Sequence, residues 1–186
     1  MRKNFGAKPW SYPQPVYIIA TYDKDGTPDA MNAAWGGISE VNEISFCLAR
    51  KHKTVANVKE TGCFTVSMGT KEFMEACDYV GLVSGNNEKD KFAKAGFHHE
   101  KSEFVNAPII KELPMTLECK MISYDEETEI LKGEIVNVSI DESVLDGSKV
   151  DVKKMNPLVF DPVNMAYWTL GEKVGNGFKD GKKLIK

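Results

Sequence analysis

Long apolar runs are missing from this chain. No stretch approaches the roughly 20 apolar residues that a helix needs to cross a bilayer. The opening residues, MRKNFGAKPWSYPQP, lack the apolar core of a signal peptide. The expectation is a cytoplasmic protein away from membranes. Paired cysteines are missing as well. Cys47, Cys63, Cys77 and Cys119 are widely spaced, with no C-x-x-C, so four free thiols are expected. Cys47, Cys63 and Cys119 lie in apolar patterns and are expected to pack as small hydrophobes. Histidine is scarce, three in all, and two of them are adjacent at His98-His99. Neighbours on an extended chain point apart, which argues against a metal there. A strong charge of either sign is absent: the formal net charge is -3, a poor footprint for nucleic-acid binding. No strand, Gly-rich turn and long helix follow one another, which argues against a doubly wound fold. There is no nicotinamide motif, no catalytic triad, no paired-acid site and no internal repeat.

What is present is one domain's worth of chain, 186 residues, 42% apolar and 27% charged. Its most informative stretch is Leu48 to Gly62, LARKHKTVANVKETG. It reads as a strand end, a basic corner and a short helix. Arg50, Lys51, His52 and Lys53 are consecutive, Thr54 is a suitable N-cap, and Gly62 stands where a left-handed stop belongs. A helix N-terminus carries free N–H groups and partial positive charge. With basic side chains beside it, the corner suits a phosphate better than a polyanion.

The rest alternates in the manner of strands. Val16 to Tyr22 is one, and Asp23 to Gly26 is a turn. Asp29 to Gly37 is another, with Ala30, Asn32 and Ala34 on one face and Met31, Ala33 and Trp35 on the other. Ile44 to Leu48 and Cys63 to Met68 follow. Thr70 is expected to cap a helix over Lys71 to Tyr79, and Asn87 one over Glu88 to Ala95. Phe97 to Pro114 reads as irregular. Met115 to Tyr124 and Glu129 to Ile140 form a long hairpin about an acidic turn. Asp141 to Pro162 reads as loop, Met165 to Leu170 as a last strand, and the Gly- and Lys-rich segment from Gly171 as a surface tail. Antiparallel strands with helices in the crossovers predict a mainly β protein, a closed or partly closed barrel with a few peripheral helices.

Several stretches together resemble the FMN-binding split-barrel family, in its flavin reductase-like and flavoredoxin branch. They are MNAAWGG (Met31 to Gly37), the basic corner with Thr54, VGLVSGNNEKDKFAKAG (Val80 to Gly96), APIIKELPMTLEC (Ala107 to Cys119), GEIVNVSID (Gly133 to Asp141) and PLVFDP (Pro157 to Pro162). The resemblance implies a Greek-key split β-barrel, a homodimer, and FMN as cofactor. Carried over by position, Asn32, Ala33, Ala34 and Trp35 would touch the ring and ribityl chain. Arg50, Lys53 and Thr54 would hold the phosphate. Ser84, Gly85 and Lys91 would come from the following loop and helix, and Phe160 would lie against the ring. A lysine such as Lys91 would stabilise the reduced, anionic ring. A histidine that many relatives place near Val136 or Val138 is absent. The implied function is an FMN-dependent oxidoreductase, fed by NADH, NADPH or a redox protein and passing electrons to a flavin, ferric iron or another protein. Alternatives are a non-enzymatic FMN electron carrier, or a split barrel without flavin that binds haem or a partner.

Overall fold

The computed structural model describes residues 1–185. In chain order the elements are β1 (Gln14–Pro15), β2 (Tyr17–Tyr22), β3 (Pro28–Ala33), β4 (Gly36–Glu40), β5 (Glu43–Cys47), α1 (Lys53–Thr61), β6 (Cys63–Met68), α2 (Met74–Leu82) and α3 (Lys91–Lys94). They continue as β7 (His99–Lys101), β8 (Pro108–Ile110), β9 (Met115–Asp125), β10 (Ile130–Ile140), β11 (Leu145–Asp146), β12 (Lys149–Val150), α4 (Val152–Met155), β13 (Leu158–Asp161) and β14 (Ala166–Thr169).

Seven strands form one antiparallel sheet in the order β3-β2-β6-β9-β10-β5-β4. Its edges, β3 and β4, are consecutive in the chain. The connection at Ala34 and Trp35 therefore runs from one edge of the sheet to the other. That is possible only if the sheet curls into an open barrel. The strand expected over Asp29 to Gly37 is thus broken in two. At Gly36 a Cβ would lie 2.2 Å from the Phe46 ring and 2.7 Å from the Ser45 carbonyl, so only glycine lets β4 close on β5.

The alternation in β2 and β3 separates two cores. Ile19, Met31 and Ala33 pack inside the barrel with Ile44, Phe46, Phe64 and Val66, and α1 plugs it with Val55 and Val58. Ile18, Ala20 and Ala30 face outward against Cys77 and Val80 of α2 and Phe92 of α3. Gly62 stops α1 in the left-handed region (φ 69°) and returns its N–H to the Val58 carbonyl, as expected. The long hairpin β9–β10 is also as expected, and Asp125 Oδ1 accepts from the N–H groups of Glu127 and Thr128.

Other expectations need correction. His52, not Thr54, is the N-cap of α1, and it makes no side-chain capping bond. α2 begins at Met74 behind Phe73, because the Lys71 N–H bonds the Asn156 carbonyl and Thr70 bridges Pro157. α3 is reduced to Lys91–Lys94 behind Asp90, because the N–H groups of Asn87 and Glu88 both return to the Ser84 carbonyl in a turn. The segment from Phe97 to Pro114 holds the hairpin β7–β8. Asp141 to Pro162 holds β11, β12, α4 and β13, with Asp151 capping α4 through the N–H groups of Lys153 and Lys154. Cys119 is fully buried as expected and Cys77 is fully buried too, each thiol pushed up to about 12 by burial, whereas Cys47 is exposed. His98 turns to Glu112 and His99 to Tyr22. No helix among the described residues is long and apolar enough to cross a membrane.

A second small sheet, β1-β13-β14, packs on the outward-facing core, where Leu158 joins Ile18, Cys77 and Val80. Tyr12 donates to Asp161, and β1 pairs with β13 from Gln14↔Phe160 to Pro15↔Val159. The start of the chain thereby fixes a strand close to its end.

Candidate functional site

A cavity of about 860 Å³ opens where β3, the start of α1, the end of α2, the 83–87 loop, α3 and the β13–β14 hairpin meet. Of the residues expected at a site, Asn32, Ala33, Ala34, Trp35, Lys53, Thr54, Ser84, Gly85, Lys91 and Phe160 all line it. Arg50 does not: its Nε lies 3.3 Å from Glu129 Oε1, and its side chain is 65% exposed. The basic residues on the cavity are Lys51, His52 and Lys53 at the start of α1, and Lys91 on its inner wall.

The α1 end of the cavity is its positive pole. The N–H groups of Val55 and Ala56 return to the His52 carbonyl, and those of Lys53 and Thr54, which have no intrahelical acceptor, meet three basic residues. Lys53 has a loose partner in Asp23, at 3.7 Å. Burial, reinforced by Lys51 and Lys91, lowers the His52 pKa, which keeps that ring neutral at neutral pH. Asn86 donates to the Lys51 carbonyl at 2.9 Å and ties the 83–87 loop to this corner.

The inner wall is polar but sealed. Asp29 is buried in β3; its Oδ1 lies 3.1 Å from Lys91 Nζ, and its Oδ2 accepts from the Thr54 hydroxyl at 3.1 Å. Thr54 and Lys91 are themselves 1% and 3% exposed. Asn32, a polar residue among alanines, donates its amide to the Cys77 carbonyl at 3.0 Å. α2 comes this close because of Gly81, where a Cβ would lie 2.9 Å from Asn32 Cβ.

The far end is acidic and aromatic. Tyr167 donates to Asp78 Oδ1 at 2.7 Å, and burial followed by that carboxylate raises its pKa. Phe160 packs beside Tyr167 with centroids 5.8 Å apart. Trp35 stands 45% exposed on the lining, and the exposed thiol of Cys47 lines the cavity too. Among the lining residues that the sequence did not point to are Asp29, Cys47, Asp78 and Tyr167. Lys51 and His52 were visible in the basic run. A carboxylate inside an apolar strand was the available signal for Asp29.

Fold and cavity together make a split barrel whose cavity joins a basic helix start to an aromatic end. The chain belongs to the flavin reductase like domain family, which it matches over residues 10–169. It is 38% identical to the flavoredoxin of Desulfovibrio vulgaris (Miyazaki F), with a TM-score of 0.93 over 97% of this chain and 100% of that one. It is 29% identical to the flavoredoxin of Methanosarcina acetivorans, with a TM-score of 0.86 over 99% of this chain and 98% of that one. An FMN-binding domain of a flavin reductases-like enzyme from Shewanella baltica OS155 is 16% identical, with a TM-score of 0.78 over 88% of this chain and 89% of that one. At that identity it speaks for the fold alone.

Proposed function

We propose that the protein binds one FMN per chain and works as an oxidoreductase, taking electrons from NADH, NADPH or a redox protein and passing them to a flavin, ferric or protein acceptor. The observation that carries the reading is one cavity joining a basic helix N-terminus to small-residue and aromatic walls. A phosphate fits the free first-turn N–H groups of α1 with Lys51 and Lys53. A planar ring fits beside Ala33 and Ala34, whose short side chains expose backbone, with Trp35 and Phe160 as aromatic walls. When bound, FMN supplies the redox chemistry. The chain's own part is to hold, orient and exclude water. Asp29 holds Thr54 and Lys91 in place, Asn32 is fixed by Cys77, and the Asp78–Tyr167 pair closes the far end.

We further propose a homodimer. β14 is the outer strand of its sheet and leaves Trp168 62% exposed. Met165, 76% exposed, lies on the cavity itself. A second copy laid on this strip would cover both. The second reading, an electron carrier with no nicotinamide site, is supported by the two flavoredoxins among the relatives.

The test is the absorbance spectrum of the purified protein, followed by FMN and riboflavin titrations and anaerobic mixing with NADH and NADPH. A flavin spectrum, preference for FMN over riboflavin and bleaching by either nucleotide are expected. A flavin spectrum without bleaching would rule out NADH and NADPH as donors and leave a redox protein to feed the flavin, in an oxidoreductase or in a carrier. A colourless protein that takes up no FMN would overturn the reading.

A further inference from the structure

We infer that Asp29 cancels the charge of Lys91, so that the inner wall of the cavity offers an ammonium donor with no net charge. The inference rests on the reading of the cavity as a flavin site. By itself Lys91 looks like a group that favours a ligand gaining negative charge on reduction. The geometry removes that role. Lys91 Nζ and Asp29 Oδ1 are 3.1 Å apart, with side chains 3% and 8% exposed. A contact pair shielded from water acts at a distance as a dipole, whose field falls faster than that of a lone charge.

Three further features lock the pair. The second oxygen of Asp29 takes the Thr54 hydroxyl, so the carboxylate cannot turn away from the lysine without losing a bond. Gly85 lies directly over the carboxylate, where a Cβ would stand 2.5 Å from Oδ1, so the 83–87 loop seals it. Two of the neighbouring charged groups are engaged elsewhere: Lys53 faces Asp23, and Asp78 takes the Tyr167 hydroxyl, while Lys51 and the neutral His52 line the α1 end of the cavity. Asp29 is thus a positioning residue, acting on any ligand through Lys91 and Thr54.

The experiment compares wild type, Asp29→Asn, Lys91→Met and the double variant. The readout is the ratio of oxidised to reduced FMN dissociation constants, from titrations of each redox form. Asp29→Asn frees the lysine charge and should favour reduced FMN about tenfold or more. That is a rise of about 30 mV in a two-electron potential. Lys91→Met frees the carboxylate and should shift the ratio by a similar factor the other way. The double variant removes both charges and should stay within about threefold of wild type. A merely structural Asp29 would weaken both redox forms alike and leave the ratio unmoved in Asp29→Asn.

Single variants leave an uncompensated buried charge and are the ones at risk of misfolding. The double variant carries no such charge, so it decides the matter. A ratio displaced about tenfold in the double variant would overturn the inference. A second arm needs no flavin: fluorescence titration of the cofactor-free proteins with the anionic dye 1-anilinonaphthalene-8-sulfonate. Tighter binding by Asp29→Asn, with the double variant like wild type, supports the neutral pair. Equal binding by Asp29→Asn and wild type overturns it. Failure to take up FMN, by contrast, would sink the flavin reading and leave this arm to judge the charge inference alone.

Discussion

Thr54→Val is the sharpest perturbation of the site. Valine matches threonine in shape and in helix propensity, so the change removes the hydroxyl and little else. That hydroxyl is buried and donates to Asp29 Oδ2 at 3.1 Å. A hydrogen bond to a charged group contributes about 1.5–3 kcal/mol, because its loss leaves a buried acceptor unmet. For a chain of this size each kcal/mol moves the melting point by about 2–4 °C, so a drop of about 3–12 °C is expected. The assay is thermal melting of the cofactor-free protein, checked by urea titration. Thr54→Ser keeps the hydroxyl and loses one methyl, so it should recover all but about 1 kcal/mol. Because the only hydrogen of the hydroxyl goes to Asp29, Thr54 offers a ligand lone pairs and no donor. Thr54→Val should therefore weaken FMN and riboflavin by similar factors. An unchanged melting point would refute the bond to Asp29. A loss of about tenfold or more for FMN alone, on the order of 1.4 kcal/mol, would show instead that the hydroxyl serves the phosphate.

Arg50→Met should change FMN affinity by less than about threefold and leave the melting point nearly unmoved, since an exposed ion pair contributes little; isothermal titration beside Lys53→Met, which should cost more, checks it. Light scattering should return twice the 20.7 kDa chain mass, and Trp168→Ser should shift the protein toward monomer; a wild-type monomer with FMN bound would dispose of the dimer. Asp161 is held well below the usual carboxylate range by the Tyr12 hydroxyl, then by Asn164 and the N–H groups of Asn164 and Val163. A carboxylate depressed in the folded state contributes stability that is whole above its unfolded value, about 3.9, and is lost as pH falls from there. Pepsin should therefore clip the first dozen residues increasingly readily below about pH 4, with Asp161→Asn already labile at higher acidic pH; equal resistance of both proteins across that range would contradict the assignment.

Much of the barrel was legible because its strands obey local rules. β2, β6, β9 and β10 alternate or run apolar between clear turns, and Gly62 ends α1 where a left-handed residue was needed. The errors share one physical origin, competition from distant partners. Thr54 has the right chemistry for a cap, but Asp29, far off in sequence, takes its hydroxyl, and the helix starts two residues earlier behind His52. Thr70 looks equally suitable, yet the segment around it is tied to Asn156 and Pro157 before any helix begins. The strand over Asp29 to Gly37 reads as continuous because nothing local shows that its halves border opposite edges of one sheet. The site was legible to the same degree. A run such as Arg50 to Lys53 announces an anion pole, but which of its members face inward depends on Glu129 drawing Arg50 outward. The Asp78–Tyr167 pair joins an α2 residue to a β14 residue, and no spacing rule links them.

The edge-to-edge passage at Ala34 and Trp35, with β1 stitched to β13, also governs how the protein can be made. The cavity is lined from Asp29 to Tyr167, so no early fragment contains it. On the ribosome the curled sheet has all its strands once β10 emerges, yet the β13–β14 wall is still unsynthesised or inside the exit tunnel. The cavity is then complete only after translation has passed Tyr167. A chain stalled or cut before that point would have a barrel and nothing to close it, a soluble-looking product with an empty flank for quality-control proteases to find.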